Sequence, residues 1–239
     1  MLVVQKYGGS SLADGQRIRQ AAEKVAQQVR WGNQVIVVVS AQGDTTDELL
    51  ERLITPKPSF RELDAYLASG EQQSAALVTM ALQELGIPSM SLTGWQAGLL
   101  TDECHCDARV KGLVHDRLQR ELDRGNVVVV TGFQGVDAHG DITTLGRGGS
   151  DTTAVALAAY LKADRCMIYT DVDGIYDRDP RKYPEAVRYQ TIGYDAMLKL
   201  AREGAQVLHD RCVELAKEHR VSIQVLSSFR PGAGTMVKD

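Results

Sequence analysis

Apolar residues recur along this chain with two spacings. Short continuous runs predict buried strands: Leu2 to Gln5, Gln34 to Ser40, Pro88 to Leu92, Val127 to Thr131, Cys166 to Thr170 and Ser222 to Leu226. Between them, apolar steps of three and four predict helices. From Asp14 to Arg30, Ile18, Ala21, Ala22, Val25, Ala26 and Val29 share one face, and Gly32-Asn33 ends the pattern. Further helices are predicted over Leu67 to Leu85, Asp116 to Arg124, Asp151 to Lys162 with Ser150 as its cap, Tyr194 to Arg202 and Val207 to His219. Thr55 to Ser59, with two prolines, reads as a loop. Unbroken apolar strands alternating with helices indicate an α/β fold with a largely parallel sheet covered on both faces. With no repeat or linker, residues 1–239 are expected to form a single domain.

Composition narrows the function classes. The 239 residues carry a formal charge of −4, and 44% are hydrophobic. Nucleic-acid binders depend on clustered Lys and Arg, so no nucleic-acid partner is expected. No apolar run approaches the roughly 20 residues of a membrane span, and no leader is evident, so the expectation is a cytoplasmic protein with no membrane partner. Cys104, Cys106, Cys166 and Cys212 form no C-x₂-C pair. Cys104-His105-Cys106-Asp107 is too tightly spaced for the usual zinc knuckle, so it reads as a polar surface loop and no metal site is expected.

In parallel sheets, ligands bind beyond the carboxyl ends of the strands, so the residues that follow each strand matter most. After the first strand comes Lys6-Tyr7-Gly8-Gly9-Ser10-Ser11. Its glycines suit an anion nest beside a cation, or simply a turn with a surface lysine. After the second come Ser40, Ala41, Gly43, Thr45 and Thr46, whose hydroxyls suit a polar substrate or the cap of a following helix. Glu71 lies on the apolar face marked by Leu67, Ala75, Val78 and Leu82. A carboxylate there needs a partner: a structural cation, or a cationic group on a ligand for which Gly70 leaves room. The densest signal runs from Thr143 through Gly146-Arg147-Gly148-Gly149-Ser150-Asp151 into an Ala-rich helix. Glycine N–H groups, a helix N-terminus and a guanidinium converge there on an anion. From Thr170, the run Asp171 to Arg181 offers acids for ribose hydroxyls or a hydrated Mg²⁺, Tyr176 for a base and Arg181 for phosphate. No Walker A segment and no G-x-G-x-x-G is present, and the five histidines form no triad-like set.

Together these segments, with Ser69-Gly70-Glu71, Gly204 to Glu214, Ser227-Ser228-Phe229 and Gly234-Thr235, resemble the catalytic domain of the aspartokinases, within the amino acid kinase family. The resemblance spans essentially the whole chain. It implies a three-layer α/β/α sandwich with a mainly parallel sheet of about eight strands. It also implies phosphoryl transfer from ATP, carried with Mg²⁺, to L-aspartate, giving 4-phospho-L-aspartate, the first step toward lysine, threonine and methionine. Lys6, Asp151 and Glu71 are then the expected catalytic group. Ser40, Thr45, Thr46, Glu71, Arg147, Gly148, Gly149 and Ser150 would hold the substrate. Lys6, Tyr7, Gly8, Gly9, Ser10, Thr170, Asp171, Tyr176, Asp179, Arg181 and Gln206 would hold the nucleotide. The part before about residue 163 would bind the amino acid, and the part after it the nucleotide.

The alternatives are a kinase of another small carboxylate or carbamate, and an inactive nucleotide-binding regulatory subunit. Where family members usually carry a lysine that reaches the nucleotide phosphates, this chain has Gln206, so Gln206→Lys is expected to tighten ATP binding or raise kcat; no gain would mean that Arg181 or Arg211 compensates. The resemblance further implies a homodimer through this domain, a separate regulatory subunit as a second partner, and no ACT domain within 1–239. Replacing Lys6 by Ala is expected to end turnover and leave the fold intact.

Overall fold

The computed structural model describes residues 1–180, 182–205 and 207–239. Twelve strands and eight α-helices are placed among them. They run β1 (Leu2–Tyr7), α1 (Gly15–Arg30), β2 (Gln34–Val39), α2 (Thr45–Glu51), α3 (Phe60–Leu67), α4 (Ser69–Glu84), β3 (Ser89–Leu92), β4 (Leu99–Thr101), β5 (Val110–Leu113) and α5 (Asp116–Asp123). The order continues with β6 (Val127–Thr131), β7 (Gln134–Val136), β8 (Ile142–Thr144), α6 (Gly149–Tyr160), β9 (Arg165–Thr170), β10 (Thr191–Ile192), α7 (Tyr194–Arg202), α8 (Asp210–His219), β11 (Ile223–Ser227) and β12 (Thr235–Val237). A 3₁₀ turn, Gly9–Leu12, follows β1.

Eight strands form the main sheet in the order β10-β12-β11-β9-β1-β2-β6-β3. Every neighbouring pair is parallel except β11 with β12. Strand alternation divides the core into two layers. Val3, Val35, Val37, Val39, Val129 and Met167 face α1 and α4. Val4, Ile36, Val38, Val128, Val130 and Ile168 face α5, α6, α7 and α8. Central strands buried on both faces show no apolar–polar alternation, which is why they read as continuous runs. The expected three-layer sandwich with eight strands is therefore what the chain forms. No helix among the described residues is long and apolar enough to cross a membrane.

The remaining four strands form a small separate sheet, β5-β4-β7-β8, that the sequence reading does not contain. Each has only three or four residues, too short for a periodic signal. The helix expected over 67–85 is α4, and Ala68 separates it from α3, a helix the sequence reading does not contain. Ser150 does not cap α6; Gly148, with φ +70°, takes the N-cap position and Ser150 lies in the first turn. Ser40 and the threonines do not cap α2 either, whose N-cap residue is Asp44.

Candidate active site

Backbone hydrogen bonds tie together the carboxyl ends of the central strands. Gly8 N–H donates to the carbonyl of Tyr169, Ser40 N–H to Tyr7, Gly132 N–H to Val39 and Ser228 N–H to Thr170. The loops after β11, β9, β1, β2 and β6 thus line one sheet edge. The chain runs in opposite directions across the sheet from β1: β2, β6 and β3 lie on one side, and β9, β11, β12 and β10 on the other. Such a reversal leaves a crevice at the strand ends.

Lys6 lies two residues after Val4, so it points toward α6. There its Nζ pairs with Oδ1 of Asp151 at 2.7 Å, both side chains being about nine-tenths buried. Asp151 occupies the first turn of α6, where a carboxylate is favoured by the helix dipole and offsets the lysine charge. Gly8 keeps the approach to the lysine open, since a Cβ on it would stand 3.3 Å from Nζ. Gly9 is required for close packing: a Cβ there would lie 2.8 Å from the Ala41 carbonyl. Its own carbonyl accepts the Gly43 N–H, fastening the first loop to the second.

Tyr7 has the opposite parity and is buried in the other layer. Its ring stacks on Tyr169 with centroids 4.8 Å apart and an interplanar angle of 4°. Its ring therefore belongs to the core, and of this residue only the backbone faces the expected nucleotide segment.

Glu71 is 3% exposed in the first turn of α4. Its Oε1 accepts the Ala41 N–H at 3.1 Å, while Oε2 is buried without a hydrogen-bond partner. Burial pushes its carboxyl up to about 7. No structural cation pairs with it among the described residues. Thr45 packs beside Gly70, and Thr46 follows it in the first turn of α2.

Arg147 is exposed and pairs with no acid among the described residues. Positive φ at Gly146 (+69°) and Gly148 (+70°) brackets it. Two further contacts brace this loop. The buried carboxylate of Asp64 accepts the hydroxyl of Thr144, the N–H of Cys106 and a bond from Nδ1 of His105. Nη1 of Arg211 donates to the carbonyl of Leu145 at 3.0 Å, and Nη2 pairs with Asp107. Sequence reasoning missed both braces. The Cys104–Asp107 loop, read as plain surface, supplies two partners to the first and one to the second. Ser150 sits against Gly132, where a Cβ would lie 2.6 Å from its Oγ.

On the other side of β1, Thr170 donates its hydroxyl to Asp171 at 3.1 Å, and Asp171 is exposed. Tyr176 is half-buried and its hydroxyl is held by Asp173 at 3.0 Å. Asp179 lies in a turn whose carbonyl accepts the N–H groups of Lys182 and Tyr183. Ser10 is exposed in the 3₁₀ turn, and its carbonyl accepts a bond from Arg17. Arg181 and Gln206 lie outside the described residues. Arg211 is committed to Leu145 and Asp107 rather than free to serve a phosphate.

An aspartokinase of Geobacillus stearothermophilus is 53% identical over the whole chain. The chain spans 59% of that relative's length. The crystal structure of aspartate kinase from Synechocystis superposes with a TM-score of 0.89 at 47% identity, covering all of this chain and 40% of that one. E. coli aspartokinase III in complex with aspartate and ADP gives a TM-score of 0.90 at 28% identity, over all of this chain and 65% of that one. The family model for the amino acid kinases matches residues 1–227, and to that family the chain belongs.

Proposed function

We propose that the chain transfers the γ-phosphoryl group of ATP to the side-chain carboxylate of L-aspartate, giving 4-phospho-L-aspartate. The observation that carries this reading is a complementary pair at one sheet edge. Among the described residues, Arg147 is a cation with no acid, and Glu71 is a buried carboxylate with an unpartnered oxygen. Together they match the two charges of an α-amino acid. Arg147 takes the α-carboxylate in a planar fork, and Glu71 takes the ammonium. Similarity to aspartokinases, one of them in complex with aspartate and ADP, supports aspartate as that amino acid.

The chemistry needs no general base, because the attacking carboxylate is ionised at neutral pH. What remains is positioning and neutralisation of charge on the transferred group. Lys6 supplies the cation, Asp151 fixes its Nζ, and Gly8 and Gly9 let the phosphates approach the backbone. Ser40, Thr45, Thr46 and Ser150 offer hydroxyls, and Gly148 and Gly149 offer N–H groups, on the amino-acid side. The nucleotide lies on the β9 side, along Ser10, Thr170, Asp171, Tyr176 and Asp179, with Arg181 close after the last of these in sequence and Gln206 later, beyond α7. The exposed Asp171 carboxylate suits a hydrated Mg²⁺ arriving with the nucleotide, whose contribution is to neutralise phosphate charge. On this reading the domain divides at β1, with the amino acid held mainly by residues before about 163. A homodimer, and a reducing cytoplasm that suits four free cysteines, belong to the same proposal.

A coupled assay of ADP release over a panel of amino acids and small carboxylates tests it, with hydroxylamine trapping of the acyl phosphate. Aspartate-dependent hydroxamate is expected. Preference for another acid, or ATP binding without turnover, would overturn the assignment.

A further inference from the structure

Arg211 stands in the first turn of α8, yet its guanidinium reaches two other segments. Nη1 holds the carbonyl of Leu145, two residues before Arg147, and Nη2 pairs with Asp107. The side chain is only 21% exposed. Gly146 lies directly against this clasp: a Cβ there would stand 3.0 Å from Oδ1 of Asp107 and 3.7 Å from Nη1 of Arg211. On the other side of Arg147, a Cβ on Gly148 would lie 2.3 Å from the ring of His209, the residue preceding α8. One helix start therefore grips the loop on both sides of Arg147, and Arg147 itself pairs with no acid among the described residues.

We propose that Arg211 is a positioning residue for amino-acid binding. It fixes the Leu145 carbonyl so that the neighbouring loop presents Arg147 to the substrate carboxylate. A loop with two positive-φ glycines has wide conformational freedom, and ordering it on binding subtracts from affinity. A fork anchored at both nitrogens removes that freedom beforehand. The ion pair with exposed Asp107 contributes little energy itself and mainly orients the fork. The ligand's identity in this proposal rests on the aspartate reading; the clasp does not.

The test uses Arg211→Met, Arg211→Lys and Asp107→Asn. Arg211→Met is expected to raise KM for aspartate about tenfold, with kcat and KM for ATP changed by less than about twofold. Lysine cannot fill both arms of the fork, so Arg211→Lys recovers only part of the loss. Asp107→Asn raises KM for aspartate by only about two- to threefold, as befits an exposed pair. Without substrate, amide exchange at Leu145 to Gly149 should quicken in Arg211→Met while exchange in the body of α8 stays unchanged. Equal losses in kcat and both KM values would indicate a merely structural residue. A rise in KM for ATP alone would make Arg211 a nucleotide cation, and unchanged exchange at the loop would remove the clasp. If the unmodified protein fails to phosphorylate aspartate, the functional reading falls, and the exchange measurement still decides the clasp.

Discussion

Lys6 and Asp151 depend on each other, and that alters the expected outcome of removing either one. Lys6→Ala strands a buried carboxylate, and breaking one half of such a pair costs about 3–5 kcal/mol. The variant should therefore lose stability as well as turnover. Urea unfolding should show most of that stability returned in the Lys6→Ala/Asp151→Ala double variant, which still turns nothing over. A double variant no more stable than the single one would mean the pair is not coupled. Glu71 makes a pH prediction. Its folded-state carboxyl is raised to about 7, so the free protein holds a proton that the unfolded chain has released above about 4.5. Stability contributed by this group therefore falls as pH rises from about 4.5 to about 7 and is level above. An ammonium ligand needs the ionised form, so KM for aspartate should fall as pH rises through about 7. Glu71→Gln should flatten that profile; a wild-type profile that is flat between pH 6 and 8 would remove the ammonium contact. Glu71 was legible in the sequence because a carboxylate interrupts an apolar helix face. Asp64, equally buried, was not, because its partners Cys106 and Thr144 lie 42 and 80 residues away in the chain.

Among the elements, legibility follows length and period. The helix over 15–30 carries a full apolar stripe, and the valine strands are continuous, so both were read to within a residue or so. The small sheet was invisible because Gln134–Val136 and Ile142–Thr144 gain their identity only from pairing with each other. The 149–160 helix began two residues earlier than read, because glycines rather than a hydroxyl residue open it. That opening gives an element-scale prediction. Gly125 and Gly148 both have positive φ, +81° and +70°. A Cβ at Gly125 meets nothing within 4 Å, whereas at Gly148 it strikes the His209 ring. Gly125→Ala should cost about 1–2 kcal/mol from backbone strain alone. Gly148→Ala adds overpacking of about 1–3 kcal/mol and should weaken aspartate binding. Similar melting temperatures for the two variants would mean that His209 yields freely.

At the scale of the whole molecule, burial sorts the thiols. Cys104 is exposed, Cys166 and Cys212 are fully enclosed, and burial pushes Cys106 up to about 11 and Cys166 to about 12. The thiolate is the reacting form, so one fast-reacting thiol is expected in the native protein and four in guanidinium, counted with an aromatic disulfide reagent. Three fast thiols in the native protein would place Cys166 or Cys212 outside the core. The sheet order has a further consequence, for synthesis. β1 is made before both of its neighbours, pairs with β2 on one edge, and waits for β9 on the other. Translation at about 5–20 residues per second leaves that second edge without its partner for roughly 8–30 s. During this interval the nascent chain offers ribosome-bound neighbours an open apolar strand, Val3-Val4-Gln5-Lys6-Tyr7, whose one charge is Lys6. The lysine that serves phosphate in the finished protein is thus also the only charge guarding that edge against wrong pairing while the chain is being made.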